Sequence, residues 1–159
     1  RRFMAKKQKI SLKSYVKKSN ILGWREWVVF PEYDDFSLKA KIDTGARSSA
    51  LHATHLYLYE KNKEKRIKFR VYQSKIFHYI DAPIVGFKTV KNSFGATEER
   101  PVIQMKIKLG KDIWNTEITL ARRSGMSHPM LIGRNSLKKK HIVHPHKSFL
   151  KGKIKKSNK

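Results

Sequence analysis

Between residues 21 and 137 apolar and polar positions alternate in short runs separated by turn residues, the pattern of an all-β domain. "FSLKAKI" (36–42) places Phe36, Leu38, Ala40 and Ile42 on one face of an extended chain, and Ser37, Lys39 and Lys41 on the other. "RIKFRVYQ" (66–73) alternates in the same way. "GWREWVVF" (23–30, ended by Pro31), "SALHATHLYLYE" (49–60), "APIVGFKTV" (82–90), "RPVIQMKIKLG" (100–110) and "DIWNTEITLA" (112–121) bring the set to roughly seven strands, with "KNKEK" as a hairpin turn. Many short strands with close turns predict a barrel or sandwich in preference to βαβ units. Only part of the N-terminal segment and 135–141, where Asn135 or Ser136 can cap a turn, read as helical. Trp24, Trp27 and Trp114 lie in strand-like runs and are expected in the core.

Charge divides the chain into three. The 159 residues carry a formal net charge of +25, and residues 1–20 and 138–159 hold eight and nine basic residues respectively with no acid in either. Such segments bury too little apolar surface to offset their ordering entropy, so 1–20 and 138–159 are predicted to be basic, flexible arms around a domain at 21–137. Their expected partner is RNA or a ribosome, because each neutralised phosphate releases counterions, whereas a membrane surface asks for an amphipathic face that neither arm shows. A solvated tail that only aids solubility is the plainer alternative.

The absence of cysteine excludes disulfides, thiol catalysis and cysteine-ligated zinc. No 18-residue apolar run occurs and the N-terminus lacks a secretory core, so a cytoplasmic protein is expected, with no membrane association. The acid-free start at Arg1 leaves an organelle matrix as the alternative, and Met4 as another native start.

Candidate chemistry sits where the run 36–42 ends, at Asp43-Thr44-Gly45 followed by Ala46 and Arg47. An Asp and a Gly populate turns in any protein. Here, however, "PMLIGRNSL" (129–137) sets two apolar residues before Gly133-Arg134-Asn135. This pair of motifs resembles that of the retroviral-type aspartic proteases. "GWREWVVFP", "KAKIDTGARSSALHA", "ERPVIQMKIKLG" and "RSGMSHPMLIGRNSL" are similar, in that order, to the bacterial retropepsin-like family often labelled ATP-dependent zinc proteases.

The resemblance implies a closed retropepsin-like (acid-protease) β barrel acting as a homodimer on a peptide or protein substrate. Aspartic proteases need two carboxylates that share a proton, one activating water and the other polarising the scissile carbonyl. A chain with one Asp-Thr-Gly obtains the pair from a two-fold axis, which brings each copy's Asp43 together. By resemblance, Thr44 bonds across the dimer, Gly45 admits close approach of substrate, Ala46 and Arg47 bind substrate, and Ile132, Gly133 and Arg134 support the loop from beneath. Retroviral enzymes carry an acid two places after the alanine, paired with the second motif's arginine. Ser48 stands there, so Arg134 is expected to find another partner. The nearest flap candidate is "KNSFGATEER" (91–100), with Gly95 its only glycine, and His144 stands where the family has an acid.

Neither a His-Glu-x-x-His nor a phosphate-cradling Gly-rich loop is present, and no cofactor or metal is expected. His52 and His55, three apart on a strand, point to opposite faces, which leaves His141, His144 and His146 as the better metal candidates or, more simply, part of the basic surface. Arg47, Arg122 and Arg123 suit acidic peptide side chains, or an internal ion pair with Glu26, Glu117 or another core acid. The family's association with enzymes that add glutamates to a ribosomal protein accords with the first option. The alternative to a protease is a non-catalytic RNA- or ribosome-binding protein of the same fold, held by the Lys-rich arms.

Overall fold

A computed structural model describes residues 17–152. Most of the predicted N-terminal arm, 1–16, and the last seven residues of the C-terminal one, 153–159, lie outside the described residues. The strands are β1 (Ile21–Gly23), β2 (Arg25–Phe30), β3 (Phe36–Ile42), β4 (Ser49–His52), β5 (Thr54–Lys61), β6 (Glu64–Gln73), β7 (Ile76–Lys91), β8 (Thr97–Leu109), β9 (Asp112–Ala121), β10 (Met130–Ile132) and β11 (Ile142–His144). Two 3-10 turns, Lys18–Asn20 and Arg134–Ser136, are the only helical elements among the described residues, so the expected helix over 135–141 is a single turn. None of these is long and apolar enough to cross a membrane.

Strand order β2-β3-β10-β4-β9-β8 closes on itself where Val29 of β2 pairs with Lys108 of β8, giving the all-β, closed retropepsin-like barrel the sequence predicts. Alternation fills its interior. Val28, Phe30, Leu38, Ala40, Leu51, Ile103, Ile107, Ile118, Leu120, Met130 and Ile132 are all fully buried. Each large aliphatic or aromatic side chain among them contributes about 1.5–3 kcal/mol by leaving water. Beyond β8 the sheet continues through β7 and β6 to β5, and the inner face of that extension adds Ile67, Phe69, Val71, Ile80 and Ala82 to the same core.

One topological feature places the site. β10 lies between β3 and β4, parallel to β3 with Ile132 opposite Ile42. Parallel neighbours leave a sheet at the same end, so the residues that follow them, Asp43 and Gly133, emerge side by side.

Part of the expected C-terminal arm is seated on the barrel. β11 pairs in parallel with β1, Trp24 donates its N–H to Lys147 O at 2.9 Å, and Phe149 N–H donates to Arg25 O at 3.0 Å. The organiser of this strap is Glu26, which is 0% exposed. Its carboxylate accepts the backbone N–H groups of Gly23 (2.5 Å), Leu150 (3.1 Å) and Lys151 (3.0 Å). A buried carboxylate is tolerable only when saturated with donors in this way. Phe149 packs against Trp27 with ring centroids 6.1 Å apart, and the Arg25 guanidinium lies 5.0 Å from the Phe149 ring.

Candidate active site

Asp43 is half-buried at the end of β3, and its loop is tied by its own backbone. Asp43 N–H donates to Ile132 O at 2.8 Å, Ala46 N–H to Asp43 O at 3.2 Å, and Gly45 N–H to Asp43 Oδ1 at 3.0 Å. The last bond ties one carboxylate oxygen back to the backbone of its own turn. Thr44, Gly45 and Arg47 are exposed, whereas Ala46 is half-buried.

The segment after β10 clasps this loop from below. Arg134 N–H donates to Ala46 O at 2.8 Å and Asn135 N–H to Arg47 O at 2.9 Å. Gly133 is glycine because of space: a Cβ there would sit 2.5 Å from Ser48 O and 2.9 Å from Ala46 O. Gly133 N–H donates to Ser49 Oγ at 3.1 Å, and Ser49 and Ser136 share a hydroxyl hydrogen bond of 2.5 Å. Thr116 donates to Ser136 Oγ at 2.6 Å and the Trp114 indole N–H to Ser136 O at 2.8 Å, which roots the clasp in β9. The guanidinium of Arg134 donates to Thr44 O at 2.9 Å, so a carbonyl of the Asp43 loop takes the place of the missing acid.

Ser48 meets a different neighbour. Lys88 Nζ approaches Ser48 Oγ at 3.4 Å, which brings the long β7–β8 hairpin down to the loop. That hairpin turns at Asn92–Ala96, where Asn92 Oδ1 accepts the N–H groups of Phe94 and Ala96, both at 3.0 Å. Gly95, with φ +85°, supplies the left-handed residue that the turn requires. Phe94 at the tip is 94% exposed.

Two arginines join the site from distant parts of the chain. Arg123, just after β9, feels the charges of both Arg100 and Asp43. Burial, then the like charge of Arg100, weakens its hold on its proton, and Asp43 opposes them. The Nε atoms of Arg100 and Arg123 are both buried and have no hydrogen-bond partner within the described chain. Arg122 is exposed beside them. Among the described residues Arg47 forms no ion pair with Glu26 or Glu117, and the Glu26 carboxylate is engaged with backbone instead. Arg123, Arg122 and Arg47 were legible as candidates. Arg100 and Lys88 were not, because strand alternation says nothing about which exposed cations the barrel brings to one end.

The histidines fall elsewhere. His52 Nδ1 accepts the Arg123 N–H at 2.8 Å, and burial lowers the imidazole pKa below its ordinary value. His55, at φ 56°, follows the break between β4 and β5, where a single strand was expected. His141 packs on Trp114 with centroids 5.5 Å apart, while His144 Nδ1 accepts the His146 N–H at 3.1 Å. No group of three or more acidic or histidine side chains is placed to hold a metal among the described residues.

Comparisons with known proteins agree with this geometry. Residues 21–154 match the RimB-like family, described as retropepsin-like aspartic endopeptidase RimB. A probable alpha-L-glutamate ligase of Shewanella pealeana is 34% identical over 136 residues, covering 83% of this chain and 30% of the relative. One from Desulfotalea psychrophila is 33% identical over 129 residues, covering 79% of this chain and 28% of the relative. The chain thus spans less than a third of the length of these curated relatives. A crystal structure of a Legionella pneumophila protein of unknown function superposes with a TM-score of 0.72 at 29% identity, covering 82% of this chain and 97% of that one. The chain belongs to the RimB-like family of retropepsin-like aspartic endopeptidases.

Proposed function

We propose that the chain is an aspartic endopeptidase that works as a homodimer, with the Asp43 carboxylates of two copies forming the catalytic pair. The observation that carries this reading is the Asp43 loop itself: one Asp-Thr-Gly, held by its own turn and clasped by Gly133-Arg134 at the open end of a closed barrel. One carboxylate is ionised and takes a proton from water as the water oxygen adds to the scissile carbonyl carbon. The other, protonated, donates to the carbonyl oxygen. Collapse of the tetrahedral intermediate breaks the C–N bond and passes a proton to the departing amine. Thr44 holds the two loops together, Gly45 lets substrate approach, Ala46 and Arg47 contact it, and Ile132, Gly133 and Arg134 keep the carboxylate in place. The β7–β8 hairpin, anchored at Lys88, is the flap.

The substrate we propose is an acidic peptide, as found on a ribosome-associated protein. Arg123 interacts with the Asp43 charge, Lys88 reaches Ser48 of the same loop and Arg47 follows in that loop, and a bidentate arginine suits a carboxylate. The names of the relatives, ligases acting on glutamate, are in keeping with this. The test is to incubate a library of acidic peptides, and a neutral library of equal length, with the wild type and with Asp43→Asn. Cleavage of the acidic set by the wild type alone supports the reading, and equal silence from both proteins refutes it.

A second reading, RNA or ribosome binding through the basic ends without catalysis, is favoured by the acid-free composition of residues 1–20 and 138–159. It predicts salt-sensitive RNA affinity that disappears when the lysines and arginines of both ends are replaced by glutamine.

A further inference from the structure

The outer face of the β5–β6–β7 sheet is built from side chains that the protease reading does not use. Directly paired residues in antiparallel strands share a face. The registers Tyr57↔Lys68↔Asp81, Tyr59↔Arg66↔Pro83, Arg70↔Tyr79 and Tyr72↔Phe77 therefore define one continuous surface. The alternate residues Ile67, Phe69, Val71 and Ile80 are buried on the other side, so this surface faces solvent.

The surface is ordered by type. Cations Arg66, Lys68 and Arg70 run down the central strand β6, with Tyr57 and Tyr59 on one flank and Phe77 and Tyr79 on the other. Tyr57, Tyr79 and Phe77 are 61%, 57% and 45% exposed. Tyr57 and Tyr59 stack with centroids 6.0 Å apart, and Phe77 meets Tyr79 edge-on at 5.6 Å. Arg66 is paired with Asp81 and Glu64. Among the described residues Lys68 and Arg70, in contrast, form no ion pair and lie over rings, Lys68 at 5.1 Å from Tyr59 and Arg70 at 4.8 and 5.0 Å from Phe77 and Tyr79, with the Arg70 guanidinium also donating to the Tyr79 hydroxyl at 2.6 Å.

We propose that this face is a docking platform for single-stranded RNA. Exposed rings with a row of cations between them, in excess over the one carboxylate of Asp81 opposite Lys68, match a ligand with both flat apolar groups and regularly spaced negative charge. Unpaired bases stack on rings while phosphates follow the basic row. An acidic peptide satisfies the cations but leaves the rings unused, and a duplex hides its base faces. From Arg66 to Tyr72 the row is about 20 Å long, room for roughly four nucleotides, the lower end for a single stacking module. The proposal does not rest on the protease reading, since no residue of this face belongs to the Asp43 site.

The test measures fluorescence anisotropy of a labelled 12-nucleotide single-stranded RNA with the full chain across a salt series. Tyr57→Ala and Tyr79→Ala each weaken binding by roughly fivefold or more without changing the salt slope, because they remove stacking and no charge. Tyr57→Phe and Tyr79→Phe retain binding, since the rings remain. Lys68→Ala and Arg70→Ala each lower the slope by about one. Peptide cleavage is unchanged in all of these variants, so failure here is separable from failure at Asp43. The proposal is overturned if the alanine variants bind the RNA as tightly as the parent. It is equally overturned if a duplex of the same length, or a polyglutamate peptide, binds this face with the same dependence on the two tyrosines.

Discussion

Replacing Gly133 with alanine puts a methyl group 2.5 Å from Ser48 O, 2.6 Å from Ser48 C and 2.9 Å from Ala46 O. To reach even 3.0 Å from Ser48 O the two segments must part by 0.5 Å. All three atoms are backbone, so no flexible side chain can absorb the movement. The bonds that cross this gap, Arg134 N–H to Ala46 O at 2.8 Å and Gly133 N–H to Ser49 Oγ at 3.1 Å, would lengthen with it. Overpacking of a tight site costs about 1–3 kcal/mol, and a stretched buried hydrogen bond about 1 kcal/mol more. The expected loss for Gly133→Ala is therefore about 2–4 kcal/mol in urea unfolding, read as a lower midpoint at constant slope. Because the displaced strand carries the Asp43 loop, peptide cleavage falls by about tenfold or more in the fraction that remains folded. A stability loss below ~1 kcal/mol with unchanged cleavage would refute the idea that close backbone approach at Gly133 sets the loop.

Glu26→Gln leaves the backbone N–H donors of Gly23, Leu150 and Lys151 facing one oxygen and one NH2 group. A cost of about 1.5–3 kcal/mol and faster tryptic cleavage at Lys147 or Lys151 are expected, with mass spectrometry locating the cut. Ser136→Ala removes the shared partner of Ser49 and Thr116, and a loss of about 1–3 kcal/mol in thermal or urea unfolding follows. Burial depresses the pKa values of His52, His128 and His141, so the folded state binds fewer protons than the unfolded chain just below the ordinary histidine value of 6.5. Their contribution to stability is intact above pH 6.5 and is lost as pH falls through the folded pKa values. A melting series from pH 7.5 down to 5 should show a decline that is smaller in His128→Phe, and an identical decline in both proteins would contradict the assignment.

Alternation exposed β3 and β6 directly in the sequence, because one face of each meets the core and the other does not. Short elements escaped. β10 is three residues long and β1 is separated from β2 only at Trp24, too little for any period to register. The expected strand 49–60 is two strands divided at Ala53, and β7 begins at Ile76, earlier than the apolar run at 82 suggests, because its outward face is aromatic and charged. The basic character of 138–152 hid its seat on the barrel, since the anchor is Glu26, a lone acid 124 residues before Leu150. At the site, the Asp-Thr-Gly and Gly-Arg-Asn motifs were legible as local words. The approach of Arg123 to Asp43, and of Arg100 to Arg123, depends on barrel closure, which no window of sequence contains.

The most direct test of the central claim is a mixing experiment, in which wild type and Asp43→Asn are unfolded together, refolded at fixed total concentration and assayed for acidic-peptide cleavage. If each active site needs one Asp43 from each of two copies, mixed dimers are dead and activity falls as the square of the wild-type fraction. Activity that falls linearly with the wild-type fraction would mean that each copy works alone, and would contradict the shared carboxylate pair.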